Sequence, residues 1–193
     1  PARARSRGAV TLGTALGAIV ALTAPAQART VFTNTDEVRA CLPLAGGDTL
    51  VGTGGGLVRV DAAGAVRQVW TASDGLPGTR IDALVADGDR IWIGTDAGVA
   101  QLAAGIAHAV TTKPVRDIAR FRGRVYLATW DGGVVEFGGD ALAMRGGPQA
   151  LRVRASALAV ASGTLWAGTA AGLYRMRDGR LDHVDGPREV SSL

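Results

Sequence analysis

Short apolar stretches alternate with turns rich in glycine and aspartate through most of the chain. One part of this pattern predicts four strands in succession, which are 81–86, 90–95, 99–102 and 108–112. Asp87-Gly88-Asp89 joins the first two strands as a turn, and two such runs around a short turn predict a β-hairpin. Gly98 supplies the positive φ that a second tight turn requires. These runs are too short and too interrupted for helices.

The same pattern returns about every forty residues, which is typical of a repeat fold. In four segments a strand ends in a threonine, with a glycine three residues later and a large aliphatic residue eleven residues earlier. The threonine and glycine pairs are Thr53 and Gly56, Thr95 and Gly98, Thr129 and Gly132, and Thr169 and Gly172; the aliphatic residues are Leu42, Leu84, Ile118 and Leu158. Four short strands per repeat predict the blade of a β-propeller. A β-sandwich is the structural alternative, but it does not predict fixed offsets.

Segment 70–99 carries Asp-Gly-Leu-Pro at 74–77, an apolar strand, an Asp/Gly turn and then Ile-Trp-Ile-Gly-Thr at 91–95. This order resembles the two-component regulator propeller repeat. The copy at 155–173 matches only in its second half, and the copies at 38–57 and 115–134 are degenerate. The resemblance implies an all-β fold, a β-propeller of about four blades of four antiparallel strands. It also implies a binding role, because such propellers are often the periplasmic sensor part of hybrid two-component receptors that recognise glycans.

The repeats also predict where the domain begins and ends. We expect a partial propeller over 29–193, with repeats at roughly 38–74, 81–114, 115–150 and 155–185 and the start of a further blade at 186–193. Residues 29–36 align with 67–74, which predicts a leading outer strand without a blade of its own. Because the strands that would close a ring are missing, we expect the chain to be part of a larger ring. A closed four-bladed ring is the alternative.

The first 28 residues have the three zones of a secretory signal peptide. Arg3, Arg5 and Arg7 form a positive head, an apolar stretch covers 9–22, and Ala26-Gln27-Ala28 has the small residues of a cleavage site. We expect cleavage after Ala28, a periplasmic or secreted bacterial protein, and no membrane contact by the mature chain unless a C-terminal part carries an anchor. A retained transmembrane anchor is the alternative, because the uncharged stretch is long enough to span a bilayer.

The charge, cysteine and histidine content limits the ligands that the sequence predicts. The formal net charge is +4, but three of the arginines lie in the leader and the others alternate with aspartates. A nucleic-acid binder needs a concentrated basic surface, so no nucleic acid is expected. Cys41, the only cysteine, is predicted to be a small buried core residue. His108 and His183 lack acidic or cysteine neighbours at ligand spacing, so the sequence predicts no metal site and no cofactor.

Candidate binding residues cluster in the turns between second and third strands. Trp130 and Asp131 interrupt the third such turn, where an indole can stack on a sugar and a carboxylate can accept its hydroxyls. A packed surface aromatic is the alternative for Trp130. Asp96 occupies the equivalent turn of the second repeat. Several cations could lie near these turns and contact the same ligand, or could simply be exposed to solvent. They are Arg80, Arg116, Lys113, Arg152 and Arg154.

No nucleophile elbow, P-loop or dinucleotide fingerprint is present in the sequence. The sequence therefore predicts a non-catalytic, extracytoplasmic ligand-binding or sensing propeller, with an oligosaccharide or a protein as partner. Two alternatives stay open. One is a secreted propeller lyase or hydrolase with its catalytic residues in other blades, and the other is a protein–protein interaction scaffold.

Overall fold

The computed structural model describes residues 37–138, 144–145, 154–177, 179–185 and 192. Within these residues the chain forms four antiparallel sheets, here called blades 1 to 4, each with its strands in sequence order. Blade 1 consists of β1 (Val38–Pro43), β2 (Thr49–Thr53), β3 (Gly56–Val60) and β4 (Val66–Trp70), and blade 2 of β5 (Ile81–Asp87), β6 (Arg90–Thr95), β7 (Gly98–Ala103) and β8 (Ile106–Thr111). Blade 3 consists of β9 (Val115–Phe121), β10 (Arg124–Thr129), β11 (Gly133–Phe137) and β12 (Met144–Arg145), and blade 4 of β13 (Ala155–Ala161), β14 (Thr164–Thr169), β15 (Gly172–Arg177) and β16 (Arg180–Val184). A 3-10 turn, Ala72–Asp74, connects blades 1 and 2.

The blades are arranged around their first strands. Strand β5 contacts both β1 and β9, and β9 also contacts β13. Meandering four-stranded sheets that meet along their first strands are the architecture of a β-propeller. The prediction of an all-β propeller with four-stranded blades is therefore confirmed.

Apolar side chains fill the spaces between consecutive blades. Leu50 and Leu57 of blade 1 pack with Ile81 and Ile93 of blade 2. Similar apolar layers lie between blades 2 and 3 and between blades 3 and 4. Trp92 of blade 2 belongs to the layer between blades 2 and 3. Its indole meets the ring of Phe137 edge to face, with 4.9 Å between centroids. Blades thus bury their faces against each other, as a repeat fold requires.

In blades 1 and 2 a glycine before the recurring threonine keeps these layers thin. A Cβ on Gly52 would lie 2.7 Å from Cγ2 of Ile81, and one on Gly94 would lie 3.2 Å from Cδ1 of Ile118. Both contacts cross from one blade to the next. Larger residues at these positions would push the blades apart, because protein interiors leave no space to absorb an added carbon.

The threonine that ends each second strand is buried and closes the following turn. The hydroxyl of Thr95 donates to the carbonyl of Gly98 at 3.0 Å and accepts from the N–H of Ala97 at 3.1 Å. Thr53 and Thr169 make the same pair of bonds, to Gly56 and Gly172 and from Gly55 and Ala171. Gly56, Gly98 and Gly172 all have positive φ, at 143°, 152° and 114°. The recurring threonine and glycine are therefore turn residues.

The third turn is one residue longer than the others. Thr129 pairs with Gly133, not with Gly132, and its hydroxyl donates to the carbonyl of Gly133 at 3.0 Å. Gly133 has the positive φ, at 66°, while Gly132 donates its N–H to the Thr129 hydroxyl. The equivalence of Gly132 with the other turn glycines was wrong, because Trp130 and Asp131 belong to a loop with an inserted residue.

Cys41 is exposed, which contradicts the prediction of a buried core cysteine. It pairs with Val51, while its neighbour Leu42 pairs with Leu50 and packs toward blade 2. Side chains alternate across a strand, so Cys41 lies on the face of blade 1 that points away from blade 2. No described residue forms a blade on that face, and the thiol is therefore open.

Candidate functional site

The turns between second and third strands lie beside the starts of the first strands. Gly54 donates its N–H to the carbonyl of Glu37 at 3.2 Å, and Asp96 donates to that of Arg80 at 3.2 Å. Ala170 donates in the same way to Arg154 at 3.1 Å. These bonds fix the turns and the strand starts together at one end of the blades, which we call the turn end.

Each first strand has a bulge close to the turn end. In β1, β5 and β13 the pairing with the second strand skips one residue, and in β9 it skips the corresponding residue between Val115 and Asp117. A bulge leaves its extra residue out of the ladder and re-aims its side chain. The four skipped residues are Arg39, Asp82, Arg116 and Ser156.

These same four residues line one cleft with a volume of about 190 Å³. Every blade therefore contributes one side chain to the cleft, and each comes from an equivalent position of the repeat. Because the first strands meet one another, we call this space the axial cleft. Polar atoms dominate its chemistry: two guanidiniums, a carboxylate and a hydroxyl.

Asp82 is the centre of a charge network on the side of blades 1 and 2. Its side chain is only 4% exposed and accepts from Nε of Arg39 at 2.6 Å and from Nη2 of Arg80 at 3.2 Å. Arg39 also contacts the carboxylate of Glu37. The hydrogen bond that Arg39 donates to Asp82 is the main reason why the pKa of Arg39 is raised. Both arginines are therefore held by carboxylates and neutralised on this side.

Trp130 is the centre of a different cluster on the side of blades 3 and 4. Its side chain is 40% exposed, and Cζ of Arg116 lies 4.3 Å from the ring centroid. Arg154, which precedes β13, places its Cζ at 5.3 Å from the same centroid. Guanidiniums at these distances are attracted by the negative face of an indole. We call Trp130, Arg116 and Arg154 the arginine–tryptophan cluster.

The remaining predicted residues lie at the same end with different contacts. Asp131 is exposed in the long turn beside Trp130, and Asp96 is exposed in the equivalent turn of blade 2. Arg80 meets Asp96 through its backbone carbonyl, while its guanidinium bonds Asp82. Lys113 is exposed just before β9, and Arg152 lies outside the described residues. The structure thus brings together Trp130 and Arg116, and Arg80 belongs to the neighbouring network.

The sequence interpretation missed Arg39, Asp82 and Ser156 as residues of the site. The sequence did carry a signal for Asp82 and Ser156. Both precede the threonine of their repeat by thirteen residues, as the candidate Arg116 does. Only the strand register shows that this position is a bulge. A serine or aspartate in a short strand would otherwise be taken as an ordinary surface residue.

The described residues contain neither a candidate metal site nor a helix that could span a membrane. His108 lies in β8 and His183 in β16, both exposed and both in the fourth strand of a blade. Over the described ranges no three His, Cys, Asp or Glu side chains gather in a way that could hold a metal ion. In that same part of the chain no helix has the length and apolar character needed to cross a membrane.

Similar structures were found among solved proteins, whereas no protein-family model and no curated protein matches the sequence. The extracellular domain of the hybrid two-component system BT4673 from B. thetaiotaomicron shares 18% identity at a TM-score of 0.66, covering 81% of this chain and 24% of that one. That of BT3049 from the same organism shares 22% identity at 0.56, covering 72% and 21%. Virginiamycin B lyase from Staphylococcus aureus shares 12% identity at 0.64, covering 80% and 58%.

This chain therefore spans about a quarter of the length of the BT4673 domain that it matches. At such identities the likeness concerns the fold, which hosts sensors and a lyase alike. The protein is a β-propeller, and its structural neighbours include the extracellular domains of hybrid two-component sensors.

Proposed function

We propose that the protein is an extracytoplasmic sensing propeller that binds a carbohydrate at the turn end. The observation that carries this proposal is the half-exposed Trp130, whose ring contacts Arg116 of the axial cleft. Indole rings and arginines are the residue types that dominate binding surfaces. Asp131 and the axial cleft add polar groups that can satisfy sugar hydroxyls.

The structural neighbours support the sensing part of this proposal. Two of them are extracellular domains of two-component systems, and they match this chain over most of its length. An enzymatic function is the alternative, because one structural neighbour with the same fold is a lyase. A binding assay alone does not distinguish the two, so turnover has to be measured as well.

A glycan array probed with the purified protein tests the proposal directly. We expect retained binding to a limited set of oligosaccharides, unchanged ligand mass after overnight incubation, and loss of binding in Trp130→Ala. Ile106→Ala, an exposed position in β8 of blade 2, serves as the matched control and should bind like the wild type. Absence of binding to every glycan contradicts the carbohydrate proposal, and cleavage of a bound glycan establishes the enzymatic alternative.

Export through the segment 1–28 belongs to the same proposal. A positive head, an apolar stretch and an Ala-x-Ala ending together direct a chain to the secretory pathway. We expect the exported protein to begin at Arg29, which intact-mass measurement of the purified protein would detect. A mass that includes the apolar stretch would instead support the membrane-anchor alternative.

A further inference from the structure

We infer that the ligand at the turn end is an acidic carbohydrate, whose carboxylate or sulfate group is held jointly by Arg116 and Arg154. This inference rests on the proposed carbohydrate-binding function and specifies its ligand class. It starts from the arginine–tryptophan cluster, where two guanidiniums approach one indole ring.

The position of the guanidiniums changes the role of Trp130. A sugar that stacks on the indole needs the same space over the ring that Arg116 occupies at 4.3 Å. The ring instead acts as a platform that holds both guanidiniums at the turn end through cation–π attraction, and one of them, Arg116, also lines the axial cleft. Trp130 is thus a positioning residue, and the arginines are the groups that contact the ligand.

The charge balance of the turn end favours an anion at this place. Neither Arg116 nor Arg154 has a carboxylate within 4.0 Å among the described residues, whereas Arg39 and Arg80 both bond Asp82. Asp131, which follows Trp130, and Asp117, which follows Arg116, make no ion pair with either arginine in that part of the chain. Both guanidiniums lie within 5.3 Å of the same ring centroid, so their like charges repel, and an oxyanion that contacts both lowers this repulsion.

The donors also suit an oxyanion in their geometry. A guanidinium presents a planar fork of N–H groups that matches the paired oxygens of a carboxylate or a sulfate ester. Arg116 reaches into the axial cleft, where the hydroxyl of Ser156 lies on the next blade as a further donor. Asp82 also lines the cleft, and its carboxylate already binds Arg39 and Arg80. The guanidiniums left to bind an acidic group therefore lie toward blades 3 and 4.

Titration calorimetry with charge-matched probes tests this inference. The acidic probe is a galacturonic acid oligosaccharide, its methyl ester is the neutral twin of the same shape, and a sulfated oligosaccharide distinguishes sulfate from carboxylate. We expect an acidic probe to bind at least about tenfold more tightly than the neutral twin, because hydrogen bonds to a charged group are stronger than those to a neutral one. Binding should weaken as the salt concentration rises.

The variants Arg116→Gln and Arg154→Gln should each weaken acidic binding by about tenfold or more while leaving the melting temperature nearly unchanged. Arg122→Gln is the matched control, because Arg122 lies over the ring of Phe121 at 4.9 Å in the turn between β9 and β10. It should bind like the wild type. An equal loss in the control overturns the inference.

Two further results separate the inference from the proposed function. Equal affinity for the acidic probe and its methyl ester overturns the acidic ligand and leaves carbohydrate binding standing. Binding only of neutral glycans on the array has the same meaning. Failure of every glycan, acidic and neutral, removes the proposed function itself and the inference with it.

Discussion

The carboxylate of Asp117 in β9 accepts a hydrogen bond from the backbone N–H of Leu158 in β13, with 2.6 Å between Oδ2 and N. Its other oxygen accepts from the N–H of Ile118 at 2.8 Å. The equivalent residues of the other blades are alanines, so this bond is particular to the boundary between blades 3 and 4. Burial raises the pKa of Asp117 and outweighs the two hydrogen bonds, which lower it.

The raised pKa gives Asp117 a defined effect on stability. For an acid whose pKa is higher in the folded state, the stabilisation is complete below its ordinary value of 3.8 and declines as the pH rises through the raised value. Asp117→Asn keeps an oxygen that accepts the Leu158 N–H but carries no charge. We expect the unfolding free energy of this variant to fall less between acid and neutral pH than that of the wild type.

Two other variants control this experiment. Asp117→Ala leaves the N–H of Leu158 without its partner and should cost about 1–3 kcal/mol, with the larger loss at acid pH, where neutral Asp117 stabilises the wild type most. The pKa of Asp61 is lowered, chiefly because its carboxylate accepts a hydrogen bond from the N–H of Ala65. Its contribution to the free energy of unfolding is therefore present above pH 3.8 and is lost as the pH falls. Asp61→Asn should therefore lose stability at neutral pH. Identical pH profiles for Asp117→Asn and the wild type would contradict the assignment.

Replacement of Gly98 by valine tests the turn that supports the site. Gly98 has φ at 152°, and a Cβ would lie 1.9 Å from the carbonyl oxygen of Thr111. We expect Gly98→Val to lower the free energy of unfolding by more than about 3 kcal/mol, because backbone strain and a clash with β8 add together. Gly172→Val, with φ at 114°, should also be strongly destabilising.

Gly88→Asn provides the contrast in a denaturant titration. Gly88 also has positive φ, at 66°, but no atom lies within 4 Å of its added Cβ. Asparagine tolerates this conformation, so the variant should stay within about 1 kcal/mol of the wild type. A Gly98→Val protein as stable as Gly88→Asn would show that the close approach to Thr111 is not maintained in solution.

The two tryptophans Trp130 and Trp92 should respond in opposite ways to truncation. Trp130 is half-exposed, so Trp130→Ala should cost about 1 kcal/mol, the value of its contacts with the two arginines. Trp92 is fully buried against blade 3, and Trp92→Ala should cost about 3–5 kcal/mol or prevent folding. Thermal melting of both variants would measure the difference. A large loss for Trp130→Ala would identify it as a packing residue and remove it from the site.

The open face of blade 1 predicts self-association of the purified protein. Val38 and Val69 are 58% and 36% exposed on this face. In blades 2 to 4 the equivalent face is covered by the preceding blade. Uncovered sheet faces and edges attract other chains. We expect concentration-dependent oligomers by light scattering, reduced in Val69→Lys and unchanged in Ile106→Lys. A monodisperse monomer with one cooperative melting transition would instead favour a closed four-bladed ring.

The repeat made the fold predictable, because turn glycines and threonines recur wherever a short strand must reverse direction. Counting residues was less reliable within a repeat. Leu42 lies eleven residues before Thr53, as Leu84 lies before Thr95. The structural equivalent of Leu84 is nevertheless Cys41, because each of these two residues pairs with the residue two positions before its threonine. The connection at 44–48 is longer than the two-residue turns of the other blades, and the longer connection shifts the count.

The site was only partly predictable for a related reason. Trp130 stood out because it interrupts a turn that has no aromatic residue in the other repeats, and Arg116 was a candidate because it is a cation close to that turn in the predicted fold. Ser156 and Asp82 line the axial cleft because a bulge re-aims them, and a bulge is a property of the pairing between two strands. Contacts between blades, such as that of Asp117 with Leu158, depend on the arrangement of whole sheets and leave no local signal.

The bulges in the first strands separate recognition from folding. A bulge residue makes no ladder hydrogen bond, so exchanging its side chain leaves the sheet intact. Arginine, aspartate, arginine and serine already occupy the four equivalent positions on one backbone geometry. A protein built this way can change its ligand one blade at a time, by single substitutions that leave the pairing of the strands unchanged.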